Sequence, residues 1–257
     1  VLEWSPIVEL ELYIGTALTM RPAGLTERYF AYGPAPGGFQ VGNPTLDSEI
    51  KWDASIGGHL TLPWLEARAA FFHAWLPTFV YQAPIERRDV NGDGNEDLIR
   101  GFENISAQLM GAELSATFRV GELLSFPISL SWVRGWNRTN DRDLPEIPPF
   151  EARVAARFDW NRTPGFWLEL GGRFVTSQKD VDRNFPEDST DGYALLDVRG
   201  GFNINDRLRL RAELENLLDA EYSEHLTREA LLASGDLLPG DEVPSPGRRV
   251  TFSLLAT

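Results

Sequence analysis

Apolar and polar side chains alternate over most of this chain. Ile7 to Met20, IVELELYIGTALTM, sets Val8, Leu10, Leu12 and Ile14 against Glu9, Glu11 and Tyr13. Ile50 to Leu62 sets Ile50, Trp52, Ala54, Ile56, Leu60 and Leu62 against Lys51, Asp53, Ser55, His59 and Thr61. Phe150 to Trp160 and Arg207 to Leu217 repeat the pattern with still more charge on the polar parity. A period of two puts successive side chains on opposite faces of a strand, so each segment predicts a strand with one apolar and one charged face. Leu65 to Tyr81, Gly101 to Val120, Ser125 to Arg138, Phe166 to Ser177, Tyr193 to Ile204 and Arg248 to Ala256 bring the total to ten. The single helical candidate is a short stretch at Leu226 to Ala233.

The connections alternate as well. Short ones fall at Leu62 to Leu65, Gly121 to Leu124, Asn161 to Gly165 and Asn205 to Asp206. Long ones run Arg21 to Glu49, Gln82 to Arg100, Thr139 to Pro149, Gln178 to Gly192 and Leu218 to Gly247. This predicts an all-β, up-and-down antiparallel meander with short turns at one end and long loops at the other. That is the form of a transmembrane β-barrel with short periplasmic turns and long extracellular loops. Ten strands would bring both chain ends to the short-turn side. Trp4, Trp64, Trp75, Trp132, Trp136, Trp160 and Trp167 lie largely toward strand ends or beside turns, where interfacial girdles form. A soluble β-sandwich or lipocalin-like barrel also alternates and is the competing reading, but its interior is apolar, the inverse of a charged inner face.

Composition narrows the function classes. The chain has 257 residues, 42% of them hydrophobic and 24% charged, which suits one folded domain spanning residues 1–257. A net charge of −14 argues against nucleic acid as a partner. With no cysteine, disulfides, thiolate metal sites and cysteine nucleophiles are excluded. No run reaches the 18 or more apolar residues of a membrane-spanning helix, and the start has no signal-peptide pattern. A spanning barrel escapes that test because only every second residue is apolar.

Candidate chemistry is sparse. Asp89, Asn91, Asp93 and Asp97 take positions 1, 3, 5 and 9 of a calcium-loop pattern, with Gly94 at position 6. Arg100 stands where the closing bidentate Glu belongs, so a full EF-hand is excluded. Two readings stay open: a shorter calcium loop, or a solvated acidic hairpin loop in which Asn-Gly and Asp-Gly supply positive φ. Calcium is the one cofactor suggested. His59, His73 and His225 are too far apart in sequence for a local metal site, and His59 sits on a polar parity that could line a lumen. Glu213 and Glu215 share a face with Arg207, Arg209 and Arg211, which reads as a charge ladder between neighbouring strands. No catalytic motif is present, and the chain is read as a non-enzyme.

Four stretches resemble TonB-dependent outer-membrane receptors. Leu25 to Glu49 is similar to the segment with an E-R-[FY] element followed by G-N-P-x-L-x-x-E, carried here by Glu27, Arg28, Tyr29, Gly42, Asn43, Pro44, Leu46 and Glu49. Phe102 to Leu114 is similar to Y-x-N-x-x-x-A-x-x-x-G-x-E-L, through Asn104, Gly111, Glu113 and Leu114. Glu215 to Leu226 resembles N-L-[LF]-D-x-x-Y, through Asn216, Asp219 and Tyr222, and Pro246, Gly247 and Arg248 resemble the P-G-R that opens the last strand. The resemblance implies the C-terminal part of a barrel in the outer membrane of a Gram-negative bacterium. It would lack the plug domain, the N-terminal strands and the TonB box. The implied function is uptake of a metal chelate, siderophore or cobalamin-like ligand. Implied partners are outer-membrane lipid, the barrel-assembly machinery and, where a plug is supplied elsewhere, TonB. A reduced or engineered plug-less barrel acting as a passive pore or surface-binding protein is the alternative.

Overall fold

The structure is a computed structural model that describes residues 1–32, 39–89, 92, 94, 96–160, 164–182, 187–205, 207–227 and 242–256. Its strands are β1 (Leu2–Ile7), β2 (Leu10–Arg21), β3 (Ala31–Tyr32), β4 (Phe39–Val41), β5 (Glu49–Leu62), β6 (Leu65–Arg88) and β7 (Asp97–Val120). They continue as β8 (Leu124–Asn137), β9 (Arg142–Asp143), β10 (Glu151–Trp160), β11 (Gly165–Val175), β12 (Tyr193–Asn205), β13 (Leu208–Glu215) and β14 (Arg249–Ala256). One helix, α1 (Leu25–Tyr29), is described. All strands belong to one 14-stranded sheet, whose main path is β1-β2-β5-β6-β7-β8-β10-β11-β12-β13-β14. Every neighbour pair along that path is antiparallel.

The meander therefore has eleven strands, one more than the ten expected. The segment read as one strand from Ile7 is the end of a hairpin: β1 pairs with β2 in register Leu2↔Ile14 and Trp4↔Leu12, and Val8 with Glu9 makes the turn. An odd count has a geometric consequence. The two edge strands, β1 and β14, run the same way, so the chain ends do not share the expected common placement. The described residues form no β1–β14 pair.

Register confirms the two faces. Ile56 lies between Ile14 and Phe71, and Leu170 between Ala156 and Val198, so apolar residues meet apolar neighbours across successive strands. This apolar face is open: Ile14, Leu18, Ile56, Leu168, Leu170 and Phe252 are all exposed. Trp64 stacks on Phe118 beside the short turns, and Phe158, Trp160 and Phe166 cluster at the same end. Trp52 and Trp75 pair across strands higher up. Leu65 to Trp75 is eleven residues of β6, ten steps, or roughly 25 Å of height at about 3.3 Å per step and about 40° of tilt, the height of an outer-membrane apolar band. Trp167 departs from the girdle: it shares the polar parity with Glu169, and the Arg157 guanidinium sits 4.2 Å from its ring centre. No helix is long and apolar enough to span a membrane, a test that does not bear on strands.

Short turns follow local chemistry. Pro63 and Trp64 close β5 onto β6 at Leu62↔Leu65, and Gly121 supplies φ of 63° in the three-residue turn from β7 to β8. Beyond the band, β6 and β7 continue to Arg88 and from Asp97 as a paired ribbon, where a loop from Gln82 to Arg100 was expected. The expected loop from Arg21 to Glu49 likewise contains α1, β3 and β4, and β4 pairs in parallel with β7. Buried apolar packing lies at this loop end. Ala74, Leu76, Tyr81, Ile105, Ala107, Leu144 and Ile147 form the cluster, whereas the band below needs no core because its apolar side faces outward. The helix expected at Leu226 to Ala233 falls mostly outside the described residues.

Candidate functional site

The polar face of the sheet is a wall of interleaved charges. Arg157 reaches Asp159 at 2.9 Å and Glu169 at 3.6 Å; Arg199 reaches Asp197 at 3.1 Å and Glu169 at 3.4 Å, and also pairs with Glu213. Arg173 is shared between Glu151 at 2.7 Å and Glu224 at 2.5 Å, and Arg249 pairs with Glu215. Glu213 and Glu215 thus take partners from β12 and β14, since directly opposed residues approach to about 4.5–5.5 Å whereas i and i+2 on one strand stand about 6.6–6.8 Å apart. The wall encloses a recess of about 510 Å³ lined by Glu66, Arg68, Arg153, Glu169, Arg173 and Arg199 among others. His59 lies on this face, 3.2 Å from Thr61 Oγ1 and 3.7 Å from Glu66, and Glu113 lines an adjoining recess. His73 takes the opposite parity, level with Ala54 and Met110. Among the described residues no three His, Asp or Glu side chains are grouped to hold a metal.

Most of the motif residues form two knots at the loop end. In the first, the Arg28 guanidinium donates to the carbonyl of Leu46 at 2.5 Å and of Pro44 at 3.4 Å. The amides of Gly42 and Asn43 donate to Phe30 and Glu27 carbonyls at 2.6 and 2.8 Å. Asn43 Nδ2 donates to Phe102 O at 3.0 Å, and Asn104 accepts the Asp47 amide at 2.8 Å while donating to Thr78 O at 3.0 Å. Arg21 bridges Glu27 at 2.9 Å and Glu49 at 3.2 Å. The Glu27 carboxyl is held below its ordinary range by Arg21 first, with partial burial opposing and the Gly24 amide assisting. Gly42 is required here, because a Cβ would lie 2.5–2.7 Å from the Arg28 and Tyr29 backbone. Leu46 is buried and Tyr29 is exposed. Gly111 is also sterically required, since a Cβ would meet the Phe72 ring and the Trp132 carbonyl.

The second knot joins β13 to β14. Asn216 and Asp219 adopt positive φ of 49° and 55°, which short polar side chains tolerate by bonding locally. Asn216 Oδ1 accepts from the Ala220 amide and its Nδ2 donates to the Ala220 carbonyl, both at 2.8 Å. Asp219 accepts the Arg248 amide at 2.8 Å, directly after Pro246 and Gly247, and Tyr222 packs on Tyr193 with ring centres 4.5 Å apart.

A third cluster combines residues that no sequence motif marks. Glu187 accepts the Glu146 amide at 2.6 Å and contacts His225 Nε2 at 3.1 Å, while His225 Nδ1 lies 3.0 Å from Thr190 Oγ1. Tyr81 donates to the buried Asp182 at 2.7 Å. Glu224 joins Arg173 and Tyr193; burial pushes its carboxyl up, but hydrogen bonds from those two prevail and hold it below its ordinary range. This clasp ties the β6 ribbon to the loops after β8, β11 and β13, at separations of 31 to 101 residues. Spacing gives no signal for partners so distant.

The acidic stretch is different. Asp89 accepts the Gly92 and Gly94 amides at 2.6 and 3.0 Å, both glycines have positive φ, and Asp97 pairs with Arg88 at the ribbon end. Asn91 and Asp93 lie outside the described residues.

Comparison with known proteins places this architecture. The sequence matches the family described as TonB dependent receptor-like, beta-barrel, over residues 1–217. It is 24% identical over 184 residues to the vitamin B12 transporter BtuB of Vibrio vulnificus (strain YJ016), an alignment covering 70% of this chain and 27% of that protein. The solved copper transporter OprC superposes with a TM-score of 0.82 at 23% identity, covering 98% of this chain and 38% of OprC. A mutant of the ferric enterobactin receptor (PfeA) from Pseudomonas aeruginosa gives 0.70 at 18% identity, covering 99% and 39%. The chain therefore spans about a quarter of the BtuB relative and under two fifths of these solved chains.

Proposed function

The chain belongs to the TonB dependent receptor-like β-barrel family, and from that premise we propose that it forms part of the wall of an outer-membrane receptor that imports a scarce nutrient. The observation that carries this reading is the division of one sheet into an apolar outer face of membrane height and a charged inner face, with the long loops knotted at one end. In this reading the short turns are periplasmic, the long loops capture ligand, and the charged wall lines the route inward. Unpaired backbone along β1 and β14 cannot face lipid, and antiparallel closure of an odd-numbered meander takes an odd number of further strands. That favours a receptor wall over a passive pore closed by these strands alone.

The names of these relatives suggest the ligand class: a cobalamin, a copper species or a ferric siderophore. In cells, TonB would supply the energy coupling, the barrel-assembly machinery would insert the strands and outer-membrane lipid would solvate the apolar face. The test is accumulation of labelled cobalamin, copper and a ferric siderophore by cells with and without the gene region encoding this chain, before and after the inner membrane is de-energised. Loss of energy-dependent uptake of one of the three supports the proposal. Unchanged accumulation of all three contradicts it.

A further inference from the structure

On the inner face almost every arginine is neutralised by a neighbour, with one row as the exception. Arg207, at the turn before β13, and Arg209 and Arg211 on β13 share a parity and are exposed. Among the described residues none of the three makes an ion pair. Register explains why. Arg209 lies between Asn203 and Leu255, and Arg211 between Gly201 and Ser253, so their cross-strand neighbours are neutral. The nearest acids on the same strand are already engaged, Glu213 by Arg199 and Glu215 by Arg249. Among the described residues, a chain with a net charge of −14 thus keeps three adjacent guanidinium groups uncompensated at the short-turn end of its charged wall.

We propose that this row docks an acidic, extended polypeptide segment lying inside the barrel along β13. The inference rests on the polar face being the lumenal one. Alternate strand residues repeat every 6.6–6.8 Å or so, which spaces Arg209 from Arg211, and Arg207 extends the row beyond them at the turn. A compact anion cannot reach all three. An extended segment with Asp or Glu at every second position has the same repeat and meets each guanidinium with one carboxylate. Arginine suits the role because its planar fork binds carboxylate through paired, charge-assisted hydrogen bonds. Pairing of β13 on both sides, to β12 and β14, fixes the spacing, so little backbone order remains to be gained on docking.

The experiment uses the whole receptor that contains this chain, in lipid nanodiscs, and a fluorescein-labelled peptide, Asp-Ser-Asp-Ser-Asp, followed by anisotropy. Controls are the rearranged peptide Asp-Asp-Asp-Ser-Ser and inorganic tripolyphosphate as competitor. Binding of the alternating peptide, weakened about tenfold in the R207S/R209S/R211S variant and by added salt, is the expected result. Equal affinity of the two peptides, full displacement by equimolar tripolyphosphate, or unchanged binding in the variant overturns the proposal. A second measurement separates this failure from failure of the lumenal assignment. This chain contributes no cysteine, so Ser253→Cys and Leu254→Cys in the whole receptor can be labelled individually with a membrane-impermeant maleimide against the parent receptor as background. Labelling of Ser253→Cys alone keeps the lumenal face in place whatever the peptides do, and the reverse pattern removes the basis for both.

Discussion

Gly42→Ala isolates the contribution of the first loop knot. The added methyl group would stand 2.5 Å from the Arg28 carbonyl carbon, 2.6 Å from the Tyr29 nitrogen and 2.7 Å from the Arg28 oxygen. All three are backbone atoms, so no side chain can rotate away and α1 must move. Movement of α1 breaks the bonds from the Gly42 and Asn43 amides to Phe30 and Glu27, and draws Arg28 from the Leu46 carbonyl. Two neutral hydrogen bonds at about 1 kcal/mol each, with part of a charge-assisted one, amount to about 3 kcal/mol of local stability. That corresponds to an increase of about two orders of magnitude in the opening equilibrium. Hydrogen exchange is the assay: protection of the Gly42 and Asn43 amides should fall about 100-fold, while β10 and β11 amides stay as in the parent. A fall below about threefold would refute the steric argument. Equal loss across β10 and β11 would refute its locality.

Three further outcomes follow from the same geometry. Glu187→Ala removes the carboxylate shared by the exposed Glu146 amide and the buried His225 ring; at about 1–3 kcal/mol for the buried ring nitrogen that loses its partner, limited proteolysis should cut the loops after β8 and β11 roughly tenfold faster or more. The Glu27 carboxyl is held below the ordinary glutamate value of 4.5, so its contribution to the first knot is complete above that pH and is lost as pH falls through the lowered folded value. Exchange at the Gly24 amide, corrected for intrinsic rate, should therefore show protection falling as pH drops below about 4.5, and Glu27→Gln should abolish that dependence. Leu170→Arg puts a charge on the outward face between Ala156 and Val198 and should lower the stability of the whole receptor in lipid vesicles by about 2–4 kcal/mol in urea titrations, whereas Gly171→Ser, on the inner face, should change it by under about 1 kcal/mol.

How much of this was legible in the sequence depends on which solvent a residue meets. Where one face is apolar and the other charged, as from Ile50 to Leu62, alternation marks the strand with its correct faces. The ribbon from Gln82 to Arg88 lies beyond the band, with Ala83 packed on the buried cluster and Ile85 to Arg88 exposed, so it carries no alternation and reads as loop although it is paired. The β1–β2 turn was hidden for another reason: Val8 and Glu9 continue the alternation of β2, so two strands resemble one. Motif residues such as Gly42, Asn43 and Asp219 were visible as a pattern, and the structure supplies their mechanical reason. Glu187, His225, Asp182 and Tyr81 were invisible as a group, because their association depends on loops converging at the sheet's end.

In the proposed receptor wall one face of this sheet meets lipid and the other a polar lumen. Single cysteines from Phe166 to Phe174 along β11, each carrying an environment-sensitive fluorophore in a bilayer, test it most directly. Quenching by lipid-borne nitroxide at Phe166, Leu168, Leu170 and Phe174, alternating with quenching by aqueous iodide at Trp167, Glu169, Gly171 and Arg173, is the predicted result. Uniform access to iodide along the strand, in a chain that stays monodisperse without detergent, would contradict it.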